Sequence, residues 1–350
     1  MFDNNFIISS SDCQVEFFSE VSERSELEKK FQPKKDFSLV LAGSYNRLGK
    51  FAKSGRVADC GTLLEFRHAE TAPGSGVFEK HGQLHNANFC RDRLCPMCSW
   101  RRSLKIFGQC SQIMDVISSQ YDFIFATFTI PSISSNLLSE GLDKLMRGWD
   151  RLCKRKRVKT ALKGFYRALE VTRNNNSGSK FYGLYHPHFH CVFAVNKSYF
   201  VKSDYINHSE WLQLWRDCFG DQSITQVDVR RFKPKDDNSS IGSAVAEAVK
   251  YSVKSSDYLF PDNPALTDEV VGTVSSALAG RRLVSFGGCF RKAWQQLNLD
   301  DPEEGDLINL DGKINPQLLY LITRFGWSVG CYKLMDYYYL ENGQPVFDKN

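Results

Sequence analysis

Between Tyr185 and Val195 the chain reads YHPHFHCVFAV, and no other stretch limits its fold as strongly. His186, His188 and His190 occupy alternate positions. Successive side chains of an extended strand point to opposite faces, so the three imidazoles would share one face. Phe189, Cys191, Phe193 and Val195 take the other register and would pack on a core. The chain has only seven histidines, so three on one strand face is a concentration that asks for a reason. Imidazoles on one face and packing on the other suit a divalent metal held on a sheet. A hydrogen-bonded histidine cluster on a half-buried strand is the plainer alternative, and the doubled spacing makes it the weaker one.

The preceding extended segment, Phe165–Thr172 (FYRALEVT), places Tyr166, Ala168, Glu170 and Thr172 on one face and Leu169 and Val171 on the other. A polar Gly/Ser/Asn connection, Asn174–Lys180, leads into the histidine strand. Two antiparallel strands with a loose loop are expected. In that register Glu170 lies beside His188 and His190 and supplies an oxygen ligand; otherwise it is an exposed strand carboxylate.

A second metal-ligand pattern lies upstream. Cys95 and Cys98 are separated by two residues, the knuckle spacing that lets two thiolates bind one tetrahedral ion. Cys90 and either Cys60 or His85 would complete four ligands, and structural zinc is the expectation. The Cys-x4-Cys-x2-Cys spacing also fits a plant-type two-iron cluster, for which Cys110 is the nearest downstream fourth ligand. Unliganded buried thiols are the remaining alternative. Ser99–Lys105 (SWRRSLK) follows, basic and aromatic, and reads either as a phosphate grip or as the exposed start of a helix.

The N-terminus MFDNNFIISSSD lacks a basic segment and is not a secretory signal. The longest apolar run, around Phe123–Ile130, is far short of the ~20 residues of a membrane span. A cytoplasmic location is therefore expected, and eleven cysteines in a reducing compartment point to metal sites or buried thiols, not to a disulfide framework. The net charge of +5 permits a nucleic-acid partner without showing one.

Elsewhere, periodicity predicts helices over Ile106–Ser119, Asn136–Arg157, Ser209–Cys218 and Leu266–Leu278, and strands over Asp122–Ile130 and Thr225–Arg231. Ser22–Lys35 reads as a short charged helix ending before Pro33. The run Arg151–Lys159 carries six basic residues, either a cationic helix terminus or a nucleic-acid contact. Arg281–Gly288 and the acidic Asp300–Asp306 read as loops, and the aromatic tail Gln317–Tyr339 carries no motif. A helix over Ser239–Asp257 brings Glu247, Tyr251, Lys254 and Tyr258 to one face, with Val245, Val249 and Ser252 opposite. From spacing alone that is an ordinary amphipathic helix.

Taken together, the two clusters suggest a reaction. An ion held by imidazoles and a carboxylate keeps open positions for substrate oxygens. A tyrosine hydroxyl nearby can attack an electrophile, and the basic runs make a nucleic-acid phosphate the natural one. Tyr251 would displace the 3′ oxygen, giving a 5′-phosphotyrosine link and a free 3′ hydroxyl; Tyr258 is a second phenol on the same face.

At this point the sequence resembles the HUH endonucleases, in which a His-hydrophobe-His strand precedes a nucleophilic tyrosine. It is similar in detail to the Rep initiators of small rolling-circle plasmids of Gram-positive type. The resembling segments are Cys90–Trp100, Phe123–Pro131, Arg167–Thr172, His186–Val192 and Glu247–Asp257, with a weaker match over Arg281–Gly288 and Asp306-Leu307-Ile308. They follow one fixed order across roughly residues 56 to 310.

The resemblance implies that His188 and His190 are the metal pair, that Glu170 or His186 is a third ligand to Mg²⁺ or Mn²⁺, and that Tyr251 is the nucleophile. Glu247 stands where some related initiators carry a second tyrosine. A carboxylate there activates water as a general base, so that the last cleavage is hydrolytic. Lys254 would stabilise charge on the phosphate.

The expected fold is α+β, a central antiparallel sheet with flanking helices and a Cys-rich zinc segment formed by Cys60, Cys90, Cys95 and Cys98. The expected division is a variable arm over 1–55, the zinc segment and a helix over 56–120, a nicking domain over 121–260 and an accessory region over 261–350. The expected partners are plasmid origin DNA, single-stranded or extruded as a hairpin, and a host helicase, with no membrane. The rival functions are a single-tyrosine transposase of the same catalytic class, a non-catalytic zinc-dependent DNA-binding regulator, and a small-phosphoester hydrolase.

Overall fold

A computed structural model of the chain describes residues 5–7, 27–231, 255–310, 315 and 318–346. It separates into two compact units, Met1–Arg101 with Asp306–Asn350, and Arg102–Gly305.

Along the chain, the short strand β1 (Asn5–Ile7) precedes helices α1 (Gln32–Arg47) and α2 (Phe51–Asp59). Strands β2 (Leu63–Ala69), β3 (Val77–Glu79) and β4 (Gln83–Ala87) follow, then helix α3 (Pro96–Ile117) and strand β5 (Tyr121–Thr129). Helices α4 (Leu138–Lys154) and α5 (Lys156–Ala161) lead into the long strands β6 (Leu162–Arg173) and β7 (Tyr185–Asn196). Next come helix α6 (His208–Phe219), strand β8 (Val227–Arg231), helix α7 (Pro264–Ala277), strand β9 (Val284–Gly288) and helix α8 (Cys289–Gln296). Strands β10 (Tyr320–Ser328), β11 (Cys331–Glu341) and β12 (Gln344–Val346) close the described chain.

The unit Arg102–Gly305 is built on a five-stranded sheet in the order β8-β5-β7-β6-β9, every neighbouring pair antiparallel. The histidine strand is therefore central, and its two registers meet different partners. Phe189 and Phe193 face an aromatic core with Trp149 of α4 and with Phe128; Phe193 also stacks on Trp211 of α6 at 5.8 Å. Helix α4 reaches this face because Leu138, Leu142, Leu145, Trp149 and Leu152 fall on one stripe, all buried. On the opposite face Val192, Ala194, Tyr166 and Ala168 pack with Ile106, Cys110, Ile113 and Met114 of α3 and with Phe290 of α8. Along that face the residues beyond Ala168 and Val192 are Glu170, His190 and His188, so the histidines continue a packed surface. The α+β class, with a central antiparallel sheet and flanking helices, is as expected.

The other unit has its own antiparallel sheet, ordered β12-β11-β10-β2-β4. The aromatic tail, which carries no motif, supplies β10 and β11. They are joined by Val329-Gly330, both at positive φ (49° and 80°), the conformation that closes a two-residue hairpin.

Three local readings are corrected. Pro33 does not end a helix; it sits in the first turn of α1, where its missing N–H has no intrahelical partner to lose. The segment before Gly288 is not a loop; Val284–Gly288 forms the edge strand β9 against β6. There Gly288 holds φ +58°, and a Cβ on it would run into the Lys163 carbonyl. The basic residues after the cysteines do not face solvent: Arg101, Arg102 and Lys105 are 5%, 2% and 5% exposed. Arg101 donates to the carbonyls of Leu307 and Ile308, Arg102 to that of Glu303, and Lys105 pairs with Asp300 at 2.6 Å. These side chains hold the acidic turn and the residues after it, and a phosphate grip is not open to them.

Candidate functional site

Strands β6 and β7 pair so that Glu170 lies opposite His188, Ala168 opposite His190 and Thr172 opposite His186. This brings three ligand atoms together. Glu170 Oε2 is 3.1 Å from His188 Nε2 and 2.6 Å from His190 Nε2, and the two Nε2 atoms are 3.1 Å apart. Glu170 and His188 are buried, at 3% and 8% exposure, and His190 is half-buried.

Proton positions show what such a cluster needs. His188 Nδ1 lies 3.0 Å from the His186 carbonyl oxygen, which can only accept, so Nδ1 carries the proton. Neutral His188 then turns a bare Nε2 lone pair toward a carboxylate oxygen. Two acceptors at this distance repel unless a proton or a cation lies between them. Burial alone would raise the Glu170 carboxyl, but positive charge at His188 and His190 outweighs it and holds the carboxyl well below the usual carboxylate range; with both rings neutral, a cation between them takes that part. The donor set, two imidazole nitrogens and a carboxylate, fits a divalent cation.

His186 stacks on His188, ring centroids 5.2 Å apart, but is not in the converging group. Burial first, and then the neighbouring His188, push its imidazole below its ordinary value. Thr127 carries no signal in the sequence. It lies opposite His190 on β5, its Oγ1 3.4 Å from His190 Nδ1, where it can accept a hydrogen bond from Nδ1–H and leave Nε2 for an ion.

Glu247, Tyr251 and Lys254 lie outside the described residues, as does most of the helix expected to carry them. Ser255–Asp257 forms a short turn. There the Ser256 carbonyl accepts a hydrogen bond from Asn175 Nδ2 at 3.4 Å, at the end of the β6–β7 hairpin. Tyr258, the second phenol, is 1% exposed, which denies it to a nucleic-acid strand.

In the unit Met1–Arg101 with Asp306–Asn350, Cys60, Cys90, Cys95 and Cys98 converge. Cys60 Sγ is 3.5 Å from Cys98 Sγ and 3.6 Å from Cys95 Sγ, and Cys90 Sγ is 3.7 Å from Cys98 Sγ. Four thiolates at about 2.3 Å from one tetrahedral ion would stand about 3.8 Å apart. Backbone N–H groups of Arg91 and Asp92 point at Cys98 Sγ and Cys90 Sγ, and the Ser38 hydroxyl lies 3.4 Å from Cys95 Sγ. Burial opposes charge on Cys95, but hydrogen bonds from Cys60, Cys90, Cys98 and Ser38 push its thiol well down. Cys60, not His85, completes the group. Cys110 is buried in the apolar core of α3 and cannot serve a two-iron cluster here.

A buried cation accompanies these sulfurs. The Lys35 ammonium, wholly buried, donates to the Ala58 and Cys60 carbonyls. Burial pushes its pKa down, while Cys60 and Cys95 favour its charge. Its sequence neighbourhood, a charged run around a proline, gives no hint of this.

Of the basic run Arg151–Lys159, Arg157 is engaged by Glu210 and by the carbonyls of Ser203 and Tyr205. Arg151, Lys154, Arg155, Lys156 and Lys159 are exposed. Among the described residues no helix is long and apolar enough to cross a membrane.

The chain matches the model of the family Rep_1, described as a replication protein, over residues 81–327. It is 36% identical over 276 residues to a "Protein rep" of Bacillus amyloliquefaciens, covering 74% of this chain and 77% of that one. It is 34% identical over 303 residues to a "Protein rep" of a Bacillus species, covering 81% and 93%. A "Protein rep" of Streptococcus pneumoniae serotype 2 is 32% identical over 291 residues, covering 80% and 83%. No solved structure matches the chain significantly. The matched span contains the paired strands with Glu170, His188 and His190, and the chain belongs to the Rep_1 family of replication proteins, in keeping with the rolling-circle initiators its ordered motifs resemble.

Proposed function

We propose that this replication protein initiates rolling-circle replication of a plasmid by cutting one strand of the origin and keeping the bond energy in a covalent link to itself. The observation that carries the reading is the convergence of Glu170, His188 and His190 on paired strands inside the family span.

Those three side chains would hold Mg²⁺ or Mn²⁺, which when bound would polarise the scissile phosphate. The phenol oxygen of Tyr251 attacks phosphorus, the 3′ oxygen leaves, and the products are a 5′-phosphotyrosine and a free 3′ hydroxyl that a polymerase can extend. Lys254, almost one turn later in the expected helix, faces charge on the phosphate. Glu247, one turn earlier, takes a proton from water in the last cleavage, so that termination frees the protein. The Ser256–Asn175 contact supports the meeting of these groups. Ser256 is five residues beyond Tyr251 and Asn175 five residues beyond Glu170, each a reach of at most about 18 Å.

Cys60, Cys90, Cys95 and Cys98 would hold a structural Zn²⁺, with Lys35 offsetting part of the thiolate charge. The reading makes origin DNA, single-stranded or extruded as a hairpin, the substrate and a host helicase the partner that opens the duplex. Incubation with single-stranded origin oligonucleotide and Mn²⁺ tests it. A denaturation-resistant protein–DNA adduct is expected, and binding without any adduct at any ion concentration would leave only a regulator.

A further inference from the structure

The loop between β6 and β7 is more ordered than a polar Gly/Ser/Asn connection suggests. Asn174 Oδ1 accepts from the Asn176 N–H, Asn176 Oδ1 from the Gly178 N–H, and Ser179 Oγ from the Phe181 N–H. Its ends are tied by Asn174 N–H to the Leu184 carbonyl and Gly183 N–H to the Asn174 carbonyl, with Gly183 at φ +78°. This scaffold presents two adjacent aromatic rings to solvent: Phe181 is 44% and Tyr182 48% exposed.

Both rings carry a cation. Lys180 Nζ is 5.0 Å from the Phe181 ring centre, and the Arg173 guanidinium is 5.5 Å from that of Tyr182. No acidic residue occurs between Arg173 and Tyr185. The pair Arg173–Tyr185 lies three register steps beyond Glu170–His188, about 10 Å along the sheet, and the odd number of steps turns the Arg173 side chain to the other face. A strand passing from the loop to the site therefore rounds the end of the hairpin, a path of at least about three nucleotides at ~3.4 Å each.

We infer that Phe181 and Tyr182, with Lys180 and Arg173, form a stacking platform for unpaired bases of the DNA strand that runs to the Glu170–His188–His190 site; this rests on the nicking reading above. Aromatic faces accept any base and the interleaved cations meet the backbone phosphates, a combination suited to single strands. A preformed loop lowers the ordering cost of binding.

The test is a fluorescence titration of the full chain with oligo(dT) and with an abasic strand of the same length, which keeps the phosphates and removes the bases. Phe181→Ala/Tyr182→Ala should weaken oligo(dT) binding by about 10-fold or more, within the range per stacked base, and barely change abasic binding. Phe181→Trp/Tyr182→Trp should restore it, and Mn²⁺ affinity and zinc content should match the parent in both variants. Equal oligo(dT) binding by parent and alanine variant would overturn the inference alone. Failure of the parent to bind either strand would overturn it together with the nicking reading. Selective loss in the alanine variant without any covalent adduct from the parent would uphold the platform and remove the nicking.

Discussion

Glu170 and His188 stand directly opposite each other on β6 and β7, with Oε2 and Nε2 3.1 Å apart and the His188 Nδ1 proton committed to the His186 carbonyl. The relationship makes the carboxylate a buried partner of the histidines and not an exposed strand charge, and the proposed function makes it a metal ligand. Glu170→Ala should lower Mn²⁺ affinity by about 100-fold or more, since even outer partners of a metal site are worth 10- to 100-fold. Calorimetric titration of Mn²⁺ checks this without activity; an unchanged affinity would remove Glu170 from the site.

The four cysteines should bind about one Zn²⁺ per chain, and Cys95→Ser should lose it, because affinity depends on all four thiolates. Metal analysis of purified protein is the measurement. Stoichiometric zinc in the variant would show that the sulfurs meet for another reason.

Gly288→Ala should destabilise the unit Arg102–Gly305 by about 2–4 kcal/mol, the sum of a strained φ and an overpacked contact. At this position the chain holds φ +58°, and β9 approaches β6 too closely for a Cβ. The midpoint of urea unfolding reports it, and an unchanged midpoint would mean that β9 can move away from β6.

Glu247→Ala should still cut but leave more protein covalently trapped on DNA after termination, because the hydrolytic step loses its base. Gel quantification of trapped complex decides. Equal amounts in variant and parent would take the water-activating role from Glu247.

The histidine face was legible because a period of two has one geometric meaning, and the hairpin spacing then set Glu170 against His188. The sulfur group was legible in the same way, down to the choice between Cys60 and His85, which only the fold resolves. Other parts were hidden for physical reasons. Arg101, Arg102 and Lys105 read as solvated charge because their acceptors lie about two hundred residues away in sequence. Lys35 is buried beside thiols that no local pattern links to it. Thr127 matters only through its place opposite His190. The strands β10 and β11 carry alternation without a motif, so the pairing of β10 with β11 and with β2 could not be read ahead of the fold.

The central claim is that the phenol of Tyr251 meets a phosphate at the ion held by Glu170, His188 and His190. The most direct measurement is mass spectrometry of the peptide left covalently joined to a cleaved origin oligonucleotide. The phosphodiester remnant is expected on Tyr251, with no adduct from Tyr251→Phe; a remnant on any other residue, or an undiminished adduct from that variant, would contradict it.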